Sequence, residues 1–66
     1  MHIYLNGEVR EIPDNTTAEG LVESLGLTGK RIAMEVNMEI VPRSQYATRR
    51  FHPGDKIEVV QAIGGG

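Results

Sequence analysis

The last residues of the chain are the ones whose types could do chemistry. The sequence ends "QAIGGG", with Ile63 followed by Gly64, Gly65 and Gly66. Glycine loses more conformational entropy on ordering than any other residue, so three in a row contribute little to a fold. Residues 63–66 reach roughly 13 Å when extended, and the glycines, which lack Cβ atoms, could enter a narrow channel. The carboxylate of Gly66 is ionised at neutral pH and is a potential nucleophile toward an electrophile such as the α-phosphate of ATP.

The rest of the chain offers no self-contained catalytic or metal site. It contains no cysteine, which excludes disulfides, thiolate ligands and thiol nucleophiles. The two histidines, His2 and His52, have no partner at the spacing of a metal site or a catalytic triad. The nine carboxylates are scattered over polar positions. We therefore predict no catalytic residue, no metal and no bound cofactor within the chain.

Length and charge narrow the class of protein. Sixty-six residues form one small domain, and the net charge of −2 argues against a general binder of nucleic acid or anionic membrane. No apolar run approaches the ~20 residues of a membrane span, and no signal peptide is evident. We expect a cytoplasmic protein that binds neither nucleic acid nor membrane.

One segment carries several arginines with aromatic residues between them. Arg43, Arg49 and Arg50 surround Tyr46 and Phe51. Such a mixture can contact phosphates and stack on bases, so a nucleic-acid-binding module is kept as an alternative. Docking of an acidic partner protein is the favoured interpretation of the same segment.

The hydrophobic pattern predicts a small α+β fold. Residues 3–12, with Asn6-Gly7 as the turn, predict a β-hairpin. Thr16 and Glu19 fit a capping box that begins a helix, and an apolar stripe follows from residue 18 to residue 25. Segments 31–37, 39–41 and 56–63 have strand character.

The resulting order is β-β-α-β-β-β. One helix covering one face of a mixed sheet of four to five strands is the expected arrangement. Residues 1–62 would form this domain, and residues 63–66 would be a flexible C-terminal tail. In the last strand, alternation places Val60 and Ala62 on the face opposite Ile57 and Val59.

Several segments together resemble a known family. "EVNMEIVPRS", "GDKIEVV", "YLNGEVREIP" and the terminal glycines are similar to the sulfur carrier proteins of thiamine biosynthesis, and the resemblance covers nearly the whole chain. It implies the ubiquitin-like β-grasp fold, in which the first and last strands pair centrally. Gly65 and Gly66 match the family diglycine, whereas the resemblance defines no role for Gly64.

The resemblance also implies the chemistry. A partner adenylyltransferase would use ATP to convert the Gly66 carboxylate into an acyl-adenylate. A sulfur-donating enzyme would turn this into a thiocarboxylate, and a thiazole synthase would accept the sulfur. Residues Ile63, Gly64 and Gly65 would occupy the partner's channel. We expect an exposed apolar docking patch of Val60 and Ala62, with Tyr4 nearby.

Two other functions are compatible with the same C-terminal residues. The same chemistry could supply another product, such as molybdopterin or a sulfur-bearing amino acid. A ubiquitin-like protein modifier, whose activated C-terminus forms an isopeptide bond with a lysine, would also end in glycines.

Overall fold

The computed structural model describes residues 1–62, which contain five strands and one α-helix. The strands are β1 (His2–Leu5), β2 (Glu8–Glu11), β3 (Ile32–Val36), β4 (Glu39–Ile40) and β5 (Lys56–Gln61). The helix, α1 (Ala18–Ser24), lies between β2 and β3, and a 3-10 turn (Arg43–Gln45) lies between β4 and β5. The predicted order of elements is confirmed.

The strands form one mixed sheet in the order β2-β1-β5-β3-β4. β5 is the central strand, parallel to β1 on one side and antiparallel to β3 on the other. The outer pairs, β1 with β2 and β3 with β4, are antiparallel. The chain therefore inserts its last strand into the middle of the sheet, as the resemblance implied.

The buried core lies between one face of the sheet and α1. The helix contributes Ala18, Leu21 and Val22, the apolar stripe expected from the sequence. The other buried apolar residues come from the strands and the connections: Ile3, Leu5, Ile12, Met34, Val36, Val41, Tyr46, Phe51, Ile57 and Val59. The opposite face of the sheet is open.

The start of α1 differs by one residue from the sequence prediction. Thr17, not Thr16, is the N-cap, and its side-chain oxygen accepts a hydrogen bond from the Gly20 backbone N–H at 3.1 Å. The Thr16 hydroxyl instead donates to the carbonyl oxygen of Pro13 at 2.6 Å. Both threonines can cap a helix, and the turn before α1 decides between them. A Cβ atom at Gly20 would make only ordinary contacts with Thr17 and Thr16, so no close backbone approach requires this glycine.

The amino group of Met1 closes the open end of the β1–β2 hairpin. It donates hydrogen bonds to the Ile12 carbonyl oxygen at 2.8 Å and to Asp14 Oδ1 at 3.2 Å. The hydrogen bond with Asp14 raises the pKa of this amino group above its ordinary value. A pKa raised by folding stabilises the folded state at low pH, and that stabilisation is lost as the pH rises through the folded-state pKa.

Asn6 joins the hairpin turn to the last strand. Asn6 and Gly7 both have positive φ, at 50° and 86°, as a two-residue hairpin turn requires. The Asn6 side chain pairs with the backbone of Val59 in both directions: Oδ1 accepts from the Val59 N–H at 2.9 Å, and Nδ2 donates to its carbonyl oxygen at 3.2 Å. This amide extends the β1–β5 pairing beyond the end of β1.

Asn37 makes a similar connection at the start of β5. Its Oδ1 accepts from the Lys56 backbone N–H at 3.0 Å, and its Nδ2 donates to Asp55 Oδ1 at 3.1 Å. Asp55 is buried, and its Oδ2 accepts from the His52 backbone N–H at 2.8 Å. Two asparagine side chains thus hold β5, one at its first residue, Lys56, and the other at Val59.

The Asn6 connection leads to a prediction about stability. Asn6→Gly keeps the positive φ but removes both hydrogen bonds to Val59, so the free energy of unfolding should fall by about 1–2 kcal/mol. Asn15→Gly is the matched control because Asn15 also has positive φ, at 69°, and its side chain makes no hydrogen bond among residues 1–62. Urea unfolding of both variants measures the difference. Equal stabilities would show that the Asn6 amide does not hold β5.

Candidate functional site

The base of the tail, by which we mean residues 60–62, is paired with β3 and not with β1. β1 pairs with β5 only as far as Leu5 with Ile57. Beyond Val59, β5 continues against β3 alone, with Val60 opposite Ala33 and Gln61 opposite Ile32. The Ala62 N–H then donates to the Arg31 carbonyl oxygen at 2.9 Å. The residues predicted to react or to enter a channel lie outside the described residues, and their roles remain predictions: Ile63, Gly64, Gly65 and Gly66.

The residues of the predicted docking patch share the open face but do not form one cluster. Val60 and Ala62 are exposed, and they border a shallow depression together with Ala33. Tyr4 is half-buried and pairs with Lys56, four residues before Val60. At about 3.3 Å per residue, Tyr4 is about 13 Å from Val60 along the sheet. The docking role itself remains a prediction.

Tyr4 borders a second depression on the same face, formed with Met38, Lys56 and Glu58. Met38 is 88% exposed and occupies the β3–β4 turn with φ of 71°, a conformation uncommon for a residue with a side chain. The open face thus offers one apolar depression at the base of the tail and another near its middle.

The exposed apolar residues lie mainly on the open face. Among residues 1–62, four large apolar residues are exposed, namely Val9, Met38, Ile40 and Val60. Val9 pairs with Tyr4 and Ile40 pairs with Glu35, while Glu35 also lies directly opposite Glu58. Apolar exposure on one side of a small protein is typical of an interaction surface.

The arginine segment is arranged differently from a nucleic-acid-binding surface. Tyr46 and Phe51 are buried, at 8% and 4% exposure, so neither ring is available to stack on a base. Arg43 lies beside the base of the tail and borders the depression that contains Val60 and Ala62. The structure therefore argues against the nucleic-acid alternative and brings Arg43 to the candidate site. No sequence signal connected Arg43 with a strand that begins thirteen residues later.

The two histidines do not belong to the candidate site. His2 is exposed, and its ring makes an edge contact with Tyr4, with centroids 5.9 Å apart. His52 Nδ1 lies 3.9 Å from Asp55 Oδ2, a contact with a single carboxylate. This carboxylate also accepts the His52 backbone N–H, so its contacts hold the turn before β5.

Residues 1–62 contain no group of three or more potential metal-ligating side chains. Over the same range, no helix has the length and apolar character needed to cross a bilayer.

Comparison with known proteins identifies the family. The model of the ThiS family matches residues 3–66. The sulfur carrier protein ThiS of Escherichia coli is 33% identical over 66 residues, which cover all of both chains. A thiazole synthase of Paramagnetospirillum magneticum is 44% identical over the whole of this chain, which spans only 20% of that protein's length. A thiazole synthase of Magnetococcus marinus is 42% identical over the whole of this chain, which again spans 20% of that protein's length.

The fold agrees with the sequence comparison. The crystal structure of thiamine biosynthesis protein ThiS from Geobacter metallireducens superposes with a TM-score of 0.84, covering all of both chains at 22% identity. This similarity supports the fold, the ubiquitin-like β-grasp. Since the family model spans nearly every residue and the Escherichia coli protein matches from end to end, the chain belongs to the ThiS family.

Proposed function

We propose that this protein is a sulfur carrier for formation of the thiazole ring of thiamine, with the Gly66 carboxylate as the group that carries sulfur. The observation on which the proposal depends most is the match of the ThiS family to residues 3–66. It is supported by the relative named as a sulfur carrier protein, which aligns from end to end. The pairing of β5 with β3 as far as Gln61 provides a fixed base for a C-terminal segment that must enter a partner.

The proposed chemistry modifies the Gly66 carboxylate in two steps, the first at the α-phosphorus of ATP and the second at the carbonyl carbon. A carboxylate oxygen of Gly66 attacks the α-phosphorus of ATP, and pyrophosphate leaves to give an acyl-adenylate. A sulfur nucleophile at the oxidation level of sulfide then attacks the carbonyl carbon, and the C–O bond to AMP breaks, leaving a thiocarboxylate. Because the chain contains no cysteine, no thiol side chain can hold the sulfur.

The catalytic groups in this scheme belong to partner proteins. The chain acts as a co-substrate of an adenylyltransferase, and a sulfur-donating enzyme and a thiazole synthase complete the sequence. The two relatives named thiazole synthase support the last partner, since a domain similar to this chain is part of the same polypeptide in each. Such a link raises the effective concentration of one domain near the other. The reaction consumes ATP, and we propose that it takes place in the cytoplasm.

The position of the carboxylate is the first test. Deleting Gly66 withdraws the terminal carboxylate by one residue, about 3.3 Å, and a shift of even 1 Å can cost about a hundred-fold in rate. We expect the deletion to reduce ATP–pyrophosphate exchange by the cognate adenylyltransferase by at least that factor. Arg10→Gln is the control because Arg10 is exposed on β2 and the change leaves residues 63–66 intact, so its rate should stay within about three-fold of the wild type. A deletion variant that exchanges at the normal rate would contradict Gly66 as the reacting residue.

The depression at the base of the tail gives a second test. Val60→Glu places a charge beside Ala62, where the partner must approach, and should weaken binding of the adenylyltransferase about ten-fold, equivalent to about 1.4 kcal/mol.

Val9→Glu is the matched control, because Val9 is also an exposed valine of the sheet, 66% against 62% for Val60, but lies on the edge strand β2. Isothermal titration calorimetry compares the two. Val60→Glu protein that binds as tightly as the wild type would remove Val60 from the docking surface, and Val9→Glu protein that binds as weakly as Val60→Glu would assign the effect to the open face as a whole.

A further inference from the structure

Two arginines border the base of the tail, and a lysine adjoins one of them in the sequence. Lys30 and Arg31 immediately precede β3, and Arg43 begins the 3-10 turn; we refer to these three residues as the basic patch. Arg31 and Arg43 border the depression that contains Val60 and Ala62. The Arg31 carbonyl oxygen also accepts the Ala62 N–H, so the patch adjoins the last residues that the structure describes.

Arg43 is held in place before any partner binds. Its Nη2 donates to the Lys30 carbonyl oxygen at 3.0 Å, and its guanidinium carbon lies 5.9 Å from the centre of the Tyr46 ring. The Tyr46 ring is itself buried in the core. A guanidinium fixed by a hydrogen bond and a cation–π contact loses less conformational entropy on binding an anion than a free side chain does.

No carboxylate within residues 1–62 pairs with the patch. The ion pairs of this range join the Met1 amino group to Glu11 and Asp14. Arg43 also borders a further depression that includes Glu19 and Glu23, and neither carboxylate forms an ion pair with it. The residues that border the depression at the base of the tail include no acid, and they are Arg31, Ile32, Ala33, Arg43, Val60, Gln61 and Ala62. The whole chain nevertheless has a net charge of −2. A local positive charge on an acidic protein, at the point where the tail begins, is complementary to a negatively charged surface on a partner.

We infer that the basic patch docks on carboxylates at the rim of the opening through which the adenylyltransferase receives the tail. The inference rests on the proposed function. Residues 63–66 reach at most roughly 13 Å, so the partner surface must lie close against the base of the tail whenever Gly66 reaches ATP. At that distance from the reacting carbon, the anions that meet the patch belong to the partner protein rather than to the nucleotide. Arginine is suited to this contact because its planar fork binds a carboxylate through two parallel hydrogen bonds.

The test measures KM and kcat for the carrier in ATP–pyrophosphate exchange by the adenylyltransferase. The double variant Arg31→Gln with Arg43→Gln should raise KM about ten-fold and leave kcat within about two-fold, because the patch assists encounter and not chemistry. The salt dependence of KM should also become weaker. Arg10→Gln is the control: Arg10 is exposed on β2, away from β5 in the strand order, and its KM should match the wild type.

The outcomes separate this inference from the proposed function. Wild-type protein that supports no exchange would overturn the proposed function and the inference together. Exchange with an unchanged KM and unchanged salt dependence in the double variant would overturn the inference alone. Arg31→Gln by itself carries the test if loss of the Arg43 contacts unfolds the double variant, because the Arg31 side chain makes no hydrogen bond among residues 1–62. If Arg10→Gln raised KM as much as the patch variants do, net charge alone would explain the effect, and the inference would be overturned.

Discussion

The placement of β5 between β1 and β3 is the constraint on which the rest of the structure depends. A strand paired on both sides has its backbone groups satisfied and opens only with the sheet as a whole. Asn6 and Asn37 add side-chain hydrogen bonds to the backbone of this strand. β5 is held on both sides as far as Val59 and by β3 alone beyond it, so the C-terminal segment begins at a paired strand although its glycines contribute little to the fold. Stability and presentation of the terminus come from the same strand.

Size explains why one face of the sheet is free. A domain of 66 residues has enough apolar residues for one core, and here that core is filled by α1 and the inner face. The outer face has no helix to cover it, so Met38, Ile40 and Val60 remain available to other proteins. In this fold an open face is a consequence of having a single helix, and the proposed function uses it.

The sequence predicted the order of elements well because each signal was local. Alternation in the strands, the Asn6-Gly7 turn and the apolar stripe of α1 depend on neighbouring residues alone. The errors concern positions that depend on distant parts of the chain. Thr16 and Thr17 are equally good caps until the preceding turn is known. The separation of Tyr4 from Val60 follows from the pairing of Tyr4 with Lys56. The sequence pattern does not show which residues of β1 and β5 lie opposite each other. The turn explained the asparagine at position 6, so nothing in the sequence indicated that its side chain also binds the backbone of Val59.

The central claim is that the Gly66 carboxylate becomes a thiocarboxylate. The most direct measurement is the intact mass of the protein purified from its native cells during thiamine synthesis, followed by fragmentation to locate any change. If Gly66 carries sulfur, the spectrum will contain a population in which one oxygen atom is replaced by sulfur, with the change confined to the C-terminal residue. Protein that carries no sulfur at its C-terminus under these conditions, and gains none when supplied with ATP, the adenylyltransferase and a sulfur donor, would contradict the account.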